Sequence, residues 1–157
     1  MREEARDNAG VIYWPPAIYA VPLAIGIIAH LIYSINFMPE GWLWRWLGAL
    51  LIGVGIFLAL WAERTMHNAG TNVNPYKPTT AIVTEGPYRF TRNPMYLSMA
   101  LCYLGVTFLL NALWPLLLLP ISLFMINYGV IAREEHYLEK KFGDEYVRYK
   151  SRVRRWI

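Results

Sequence analysis

Two short clusters of charged residues have the composition to hold a small ionic molecule. The first is TEGPYRFTRNPMY at residues 84–96, which places Arg89 and Arg92 among three aromatic residues and two prolines. Asn93 followed by Pro94 predicts the start of a helix, because Asn is a good N-cap and Pro suits the first helical position. A helix N-terminus beside two arginines favours an anion.

The same segment also suits a role as a membrane anchor. Tyr88, Phe90 and Tyr96 have the character of an interfacial aromatic belt, in which the arginines would meet lipid phosphates. The residue types alone leave both interpretations open.

The second cluster is acidic and lies in AREEHYLEKKFGDEYVRYK, residues 132–150. A helix is expected to continue past the membrane, end at Gly143 and be followed by a second short helix. Adjacent residues on a helix point about 100° apart, so one of Glu134 and Glu135 can face the bundle while the other faces solvent. A charged cap on an emerging helix is the alternative.

The rest of the chain must position these clusters, and its composition indicates a membrane protein. Of 157 residues, 56% are hydrophobic and only 17% are charged. Because about 20 apolar residues cross a bilayer, we predict an all-α integral membrane protein with four transmembrane helices. They form two hairpins in a single domain, 1–157, with a loop at 63–93 and a helical tail at 133–157. The predicted spans are about 17–38, 41–62, 94–111 and 113–132.

Basic residues are distributed unevenly along the chain. Of the fifteen Lys and Arg residues, eight follow Ala132, four lie between Glu63 and Asn93, two precede the first span and Arg45 stands alone. Positive residues concentrate on the cytoplasmic side, so both termini and any active site are expected there. The net charge of +4 then indicates topology and contact with anionic lipid rather than nucleic-acid binding.

A few polar residues interrupt the apolar spans. His30, Asn36 and Asn127 are expected either to form interhelical hydrogen bonds or to line a path for a lipophilic substrate. Asn127 precedes Glu134 by seven positions, which predicts nearly the same helix face. No metal site is expected, because the histidines lack a recognised ligand spacing.

The motifs GPYRFTRNPMY and REEHYLEKKFGDEYVRY, separated by one hydrophobic hairpin, resemble the isoprenylcysteine carboxyl methyltransferase family and the related phospholipid methyltransferases. The resemblance covers roughly residues 60–157. It implies a membrane methyltransferase that uses S-adenosylmethionine without a Rossmann domain. Gly53 and Gly55, the only Gly-x-Gly, lie within a predicted span and indicate helix packing.

Carried over by position, the resemblance implies a cytoplasmic cofactor pocket. Arg92 and Glu135 are the predicted catalytic residues. Asn93 replaces the histidine of the family's R-H-P segment, so we expect it to make contacts and cap the helix rather than transfer a proton. Tyr137 is a further candidate for stacking on adenine. The predicted cofactor-binding residues are Tyr88, Arg89, Asn93, Pro94, Tyr96, Glu134 and Glu135.

Two other functions are compatible with the sequence. One is an NADPH-dependent reductase of the sterol reductase type, and the other is a non-enzymatic four-helix membrane protein. For a methyltransferase, the acceptor is expected to be a lipophilic or small molecule carrying a carboxylate, an amine or a thiol. The sequence does not choose among these groups.

Overall fold

The structure, a computed structural model, describes residues 7–157 and contains six α-helices in this range. The described residues form no β-strand, and one isolated bridge pairs Asn36 with Ala112. A 3-10 turn, Gly86–Arg89, precedes the third helix. The helices are α1 Pro15–Ile32, α2 Trp42–Asn68, α3 Pro94–Leu110, α4 Leu113–Ile126, α5 Ala132–Phe142 and α6 Asp144–Arg152.

Three continuous helices are long and apolar enough to cross a membrane, namely α1, α2 and Leu113–Phe142. The last consists of α4, a π-helical turn at Asn127–Ile131 and α5. Its apolar part ends at Ala132, so the charged remainder of α5 lies beyond the span. The apolar α3 has only 17 residues. The prediction of an all-α membrane protein is therefore confirmed; three of the predicted spans correspond to long apolar helices, and the span predicted at 94–111 corresponds to the shorter α3.

Two predicted boundaries were wrong. The first span was expected to reach residue 38, but α1 ends at Ile32. The backbone beyond it bonds to the α3–α4 turn instead, with Leu113 N donating to Ile35 O over 3.0 Å. The predicted loop 63–93 is helical as far as Asn68, because no Gly or Pro occurs between Gly55 and Gly70 to end α2 earlier.

The predicted end of the charged helix is confirmed. α5 ends at Phe142, and Gly143 adopts a φ of 54°, a left-handed value that glycine takes without strain. The predicted second short helix follows directly as α6.

The helices pack across the bundle rather than within the predicted hairpins. The most extensive contacts join α2 to α3 and α1 to α4. Glycines allow the first pair to approach closely: a Cβ on Gly48 would lie 2.6 Å from Gly105 O, and one on Gly55 would lie 2.9 Å from Ser98 O. The expected packing role therefore holds for Gly55, whereas a Cβ on Gly53 would meet nothing within 4 Å.

We predict that Gly105→Ala destabilises the protein by about 1–3 kcal/mol, the usual cost of overpacking. The added methyl would lie 2.5 Å from Ile52 Cγ1 and 2.7 Å from Gly48 O. Thermal unfolding in detergent measures the effect. Gly53→Ala is the matched control on the open side of α2, and an equal loss of stability in both variants would contradict the packing argument.

Candidate functional site

A cavity of about 410 Å³ lies where the start of α3 meets α5 and α6. We call it the main cavity. Its walls come from residues 9–16, the loop at 72–83, the segment 88–99, the first turns of α5, and two tyrosines of α6. The two clusters that the sequence singles out thus meet around one space.

The C-terminal segment holds the arginine-containing loop in place. Arg92 N donates to Arg154 O over 3.0 Å, and Thr91 Oγ1 donates to Arg155 O over 3.1 Å. Asn93 Nδ2 donates to the same carbonyl over 2.9 Å. The predicted capping role of Asn93 was wrong: the residue occupies the N-cap position, but its side chain makes no capping bond, because its amide is engaged by the tail.

A buried carboxylate organises the charged residues beside the cavity. Glu135 is only 5% exposed, and both of its oxygens accept hydrogen bonds from the guanidinium of Arg155. Lys150 Nζ lies 3.9 Å from Oε2. The bond to Glu135 raises the pKa of Arg155 above its ordinary value. Glu135 is therefore paired with cationic side chains in the interior, where an unpaired charge would be costly.

Arg92 pairs with the same carboxylate but keeps unused donors. Its Nη1 lies 2.8 Å from Glu135 Oε1, with 9% of the Arg92 side chain exposed. Within residues 7–157, Nε and Nη1 of Arg92 are buried without an aligned hydrogen-bond partner. Buried donors are nearly always satisfied, so Nε, together with the part of Nη1 that the ion pair with Glu135 leaves free, suits an anionic group of a molecule in the main cavity.

Glu134 supplies the opposite charge in the same wall. Tyr96 Oη donates to Glu134 Oε1 over 2.6 Å. The pKa of Glu134 is raised to about 7, chiefly by burial; the hydrogen bond from Tyr96 acts to lower it and the neighbouring Glu135 acts to raise it. A cationic group placed beside Glu134 would favour its ionised form.

Tyr137 connects three segments around the cavity. Its hydroxyl accepts from Thr79 N over 3.3 Å and donates to Asp7 Oδ1 over 2.8 Å. Lys141 Nζ also bonds to Asp7, which lowers the pKa of Asp7. These contacts hold the N-terminal segment and the loop at 72–83 against α5.

A second cavity of about 770 Å³ lies between α3 and α4. We call it the α3–α4 groove. Its walls are mainly apolar side chains, four of them leucines, with polar groups at one end from Asn127, Tyr128 and Arg155. Arg155 Nη1 donates to Asn127 Oδ1 over 3.0 Å. Because Glu135 lines the main cavity and Arg155 lines the groove, their hydrogen-bonded pair stands between the two spaces.

Asn127 and Glu134 were expected on nearly the same helix face, but Asn127 lines the α3–α4 groove and Glu134 lines the main cavity. Asn127 connects through Arg155 to Glu135, eight positions later. The π-helical turn at Asn127–Ile131 accommodates one extra residue, which shifts the seven-residue spacing by one.

The main cavity brings together most of the residues predicted from sequence, but Arg89 and His30 line neither described cavity. Arg89 is exposed on the 3-10 turn. His30 lies in the last turn of α1 and bonds to Ser34 Oγ. Asn127 lines the groove only. The predicted residues in the wall of the main cavity are Tyr88, Arg92, Asn93, Pro94, Tyr96, Glu134, Glu135 and Tyr137.

Sequence reasoning missed Arg155 and the two tyrosines of α6. Tyr146 and Tyr149 are buried, and Tyr149 Oη donates to Tyr88 O over 2.8 Å. The second motif contained a signal for the tyrosines, because its final part, FGDEYVRY at residues 142–149, repeats Tyr at an interval of three. Nothing in KSRVRRWI distinguishes Arg155 from its basic neighbours.

The family model described as phospholipid methyltransferase matches residues 43–145. This chain belongs to that family. The match includes both charged clusters of the main cavity but stops before the C-terminal segment that contains Arg155. No solved structure matches the chain.

Three relatives of this protein match different shares of its chain. An uncharacterized protein of Haemophilus influenzae is 52% identical over 63 residues, which are 40% of this chain and 100% of that protein. The protein-S-isoprenylcysteine O-methyltransferase of Schizosaccharomyces pombe is 35% identical over 72 residues, 46% of this chain and 30% of that protein. The Arabidopsis thaliana protein-S-isoprenylcysteine O-methyltransferase B is 27% identical over 140 residues, 86% of this chain and 71% of its own.

We predict that Glu135→Ala lowers the free energy of unfolding by about 3–5 kcal/mol, because it leaves the buried guanidinium of Arg92 and the partly buried guanidinium of Arg155 without their shared carboxylate. Thermal and denaturant unfolding in detergent measure this loss. Glu139→Ala is the control: it removes a partly exposed pair with Lys150, and we expect a cost of about 0–1 kcal/mol. Similar losses for both would contradict the central role of Glu135.

Proposed function

We propose that this protein is a membrane methyltransferase that uses S-adenosylmethionine and methylates a lipophilic or small acceptor. One observation carries the proposal: the main cavity has buried, unused donors on Arg92 and a carboxylate on Glu134 in the same wall. A molecule with a carboxylate and an ammonium on one carbon matches this pair of charges. The chain's family membership supports the same conclusion.

The residues present fit the other parts of this cofactor. A space of about 410 Å³ lies within the range of small-molecule pockets, about 300–1,000 Å³. Tyr88, Tyr96, Tyr146 and Tyr149 supply aromatic rings for adenine or for the sulfonium cation. When bound, S-adenosylmethionine supplies a methyl group already activated on sulfur. The protein's task is then to orient the reactants and exclude water.

The two adjacent glutamates are given different roles. Glu135 is occupied by two arginines, so we assign it the positioning of Arg92. Glu134 accepts a hydrogen bond from Tyr96 and lines the cavity, so we assign it contact with the ammonium or ribose hydroxyls.

The α3–α4 groove suits a lipophilic acceptor, for example a membrane lipid. Its apolar walls can hold a hydrocarbon tail, and its polar end lies beside the pair that borders the main cavity. A carboxylate, amine or thiol at that end would approach the activated methyl from the membrane side. We place this site on the cytoplasmic face with both termini, because nearly all basic residues belong to that end of the bundle.

Relatives of the chain favour methyl transfer over the other two functions. The Schizosaccharomyces pombe and Arabidopsis thaliana proteins are both described as methyltransferases. A reductase would bind NADPH in the same cavity, and a purely structural protein would bind neither NADPH nor S-adenosylhomocysteine. Calorimetry with detergent-purified protein separates the three.

We predict that the protein binds S-adenosylhomocysteine but not NADPH, and that Arg92→Ala weakens this binding about 10- to 100-fold, the effect of a hydrogen bond to a charged group. Arg89→Ala, which alters an exposed arginine outside the cavity, is expected to leave the affinity unchanged. Arg92→Lys and melting temperatures check that the fold is retained. Binding of NADPH alone would support the reductase, and no binding of either would support the structural alternative.

We predict that Leu101→Trp, which fills the α3–α4 groove, lowers methyl transfer to a lipid acceptor by about tenfold, the effect of about 1.4 kcal/mol on the barrier. Transfer of labelled methyl from S-adenosylmethionine into a membrane lipid extract measures the rate. Leu110→Trp is the control, because Leu110 is exposed at the other end of α3 and outside the groove. Equal rates in the two variants would remove the groove from the proposal.

A further inference from the structure

Arg155 lies outside the region matched by the family model, residues 43–145. It nevertheless contacts Glu135, the buried carboxylate that also pairs with Arg92. Its side chain is about one third exposed, whereas that of Glu135 is almost fully buried. It comes from an irregular segment after α6, so no helix geometry explains its position. The backbone of this segment already holds the loop that contains Arg92, which leaves the side chain available for a separate task.

The geometry of the guanidinium indicates that task. Arg155 Nε donates to Glu135 Oε1 over 3.0 Å, and Nη2 donates to Oε2. This two-pronged contact is the strongest arrangement of a guanidinium with a carboxylate. The third nitrogen, Nη1, donates to Asn127, so the Arg155 side chain is fixed at all three of its nitrogens.

Arg92 competes for the same carboxylate. It reaches Glu135 Oε1 at 2.8 Å, but its Nε and Nη1 form no aligned hydrogen bond to any described residue. With Arg155 occupying both oxygens of Glu135, Arg92 is electrostatically held but retains donors for another anion. Without Arg155, rotation of either side chain would let Arg92 form the two-pronged contact itself.

We propose that Arg155 is a positioning residue, which occupies Glu135 so that Arg92 keeps its donors for the carboxylate of the ligand in the main cavity. This inference rests on the proposed function. It assigns Arg155 no contact with the ligand. The effect of Arg155 must therefore depend on the presence of a carboxylate in the ligand.

Two ligands separate positioning from a general effect on folding. S-adenosylhomocysteine carries the amino-acid carboxylate, whereas 5′-methylthioadenosine has the same nucleoside and sulfur without the amino-acid group. We expect Arg155→Ala to weaken calorimetric binding of the first about tenfold, as for loss of a charged hydrogen bond. Binding of the second should change less than about twofold, because its contacts do not involve Arg92.

Matched variants complete the test. Arg152→Ala, at an exposed arginine in the same basic tail, is expected to bind both ligands like the wild type. Arg155→Lys keeps the charge but not the two-pronged donor, so it should behave like Arg155→Ala. Equal weakening of both ligands, unchanged binding of S-adenosylhomocysteine, or full recovery with lysine would overturn the inference. Failure of the wild type to bind S-adenosylhomocysteine would instead overturn the proposed function beneath it.

Discussion

The site depends on one buried carboxylate that is shared by two arginines. Glu135 lies at the start of α5, Arg92 immediately before α3, and Arg155 near the C-terminus. An ionised carboxylate in the interior requires partners, and each guanidinium requires an anion. This mutual requirement draws three distant parts of the sequence to one point, and the main cavity forms beside them.

The bundle provides the rigid support that such a site needs. α2 and α3 approach through Gly48, Gly55 and Gly105, where any side chain would meet the backbone or side chains of the neighbouring helix. This contact fixes the height and direction of α3, and hence the position of its N-terminus. At that end, backbone donors and side chains of residues 91–93 bond to the carbonyls of the tail. The position of Arg92 thus depends on both the glycine contact and the tail.

Local rules predicted the elements better than their arrangement. The helix start at Pro94 follows from the preference of proline for the first helical position, and the helix end at Gly143 follows from the left-handed conformation that glycine adopts; both preferences act within a few residues. The sequence predicted that helices joined by a short turn would pair. The pairing of α2 with α3 instead depends on the shapes of two complete helix surfaces, which a short turn does not reveal. The π-helical turn at Asn127–Ile131 likewise has no simple sequence signature, although it changes which glutamate Asn127 reaches.

Apolar run length, the uneven basic charge and the paired motifs determined by themselves that this is a helical membrane protein of a methyltransferase family, because hydrophobicity and helix caps are local properties. Most of the site residues that they identified line the main cavity. Tertiary structure alone decided that Glu134 faces the cavity while Glu135 is paired, that Arg89 stays outside, and that Arg155 joins the site. Such assignments depend on which charges are buried together, and burial is a property of the packed chain.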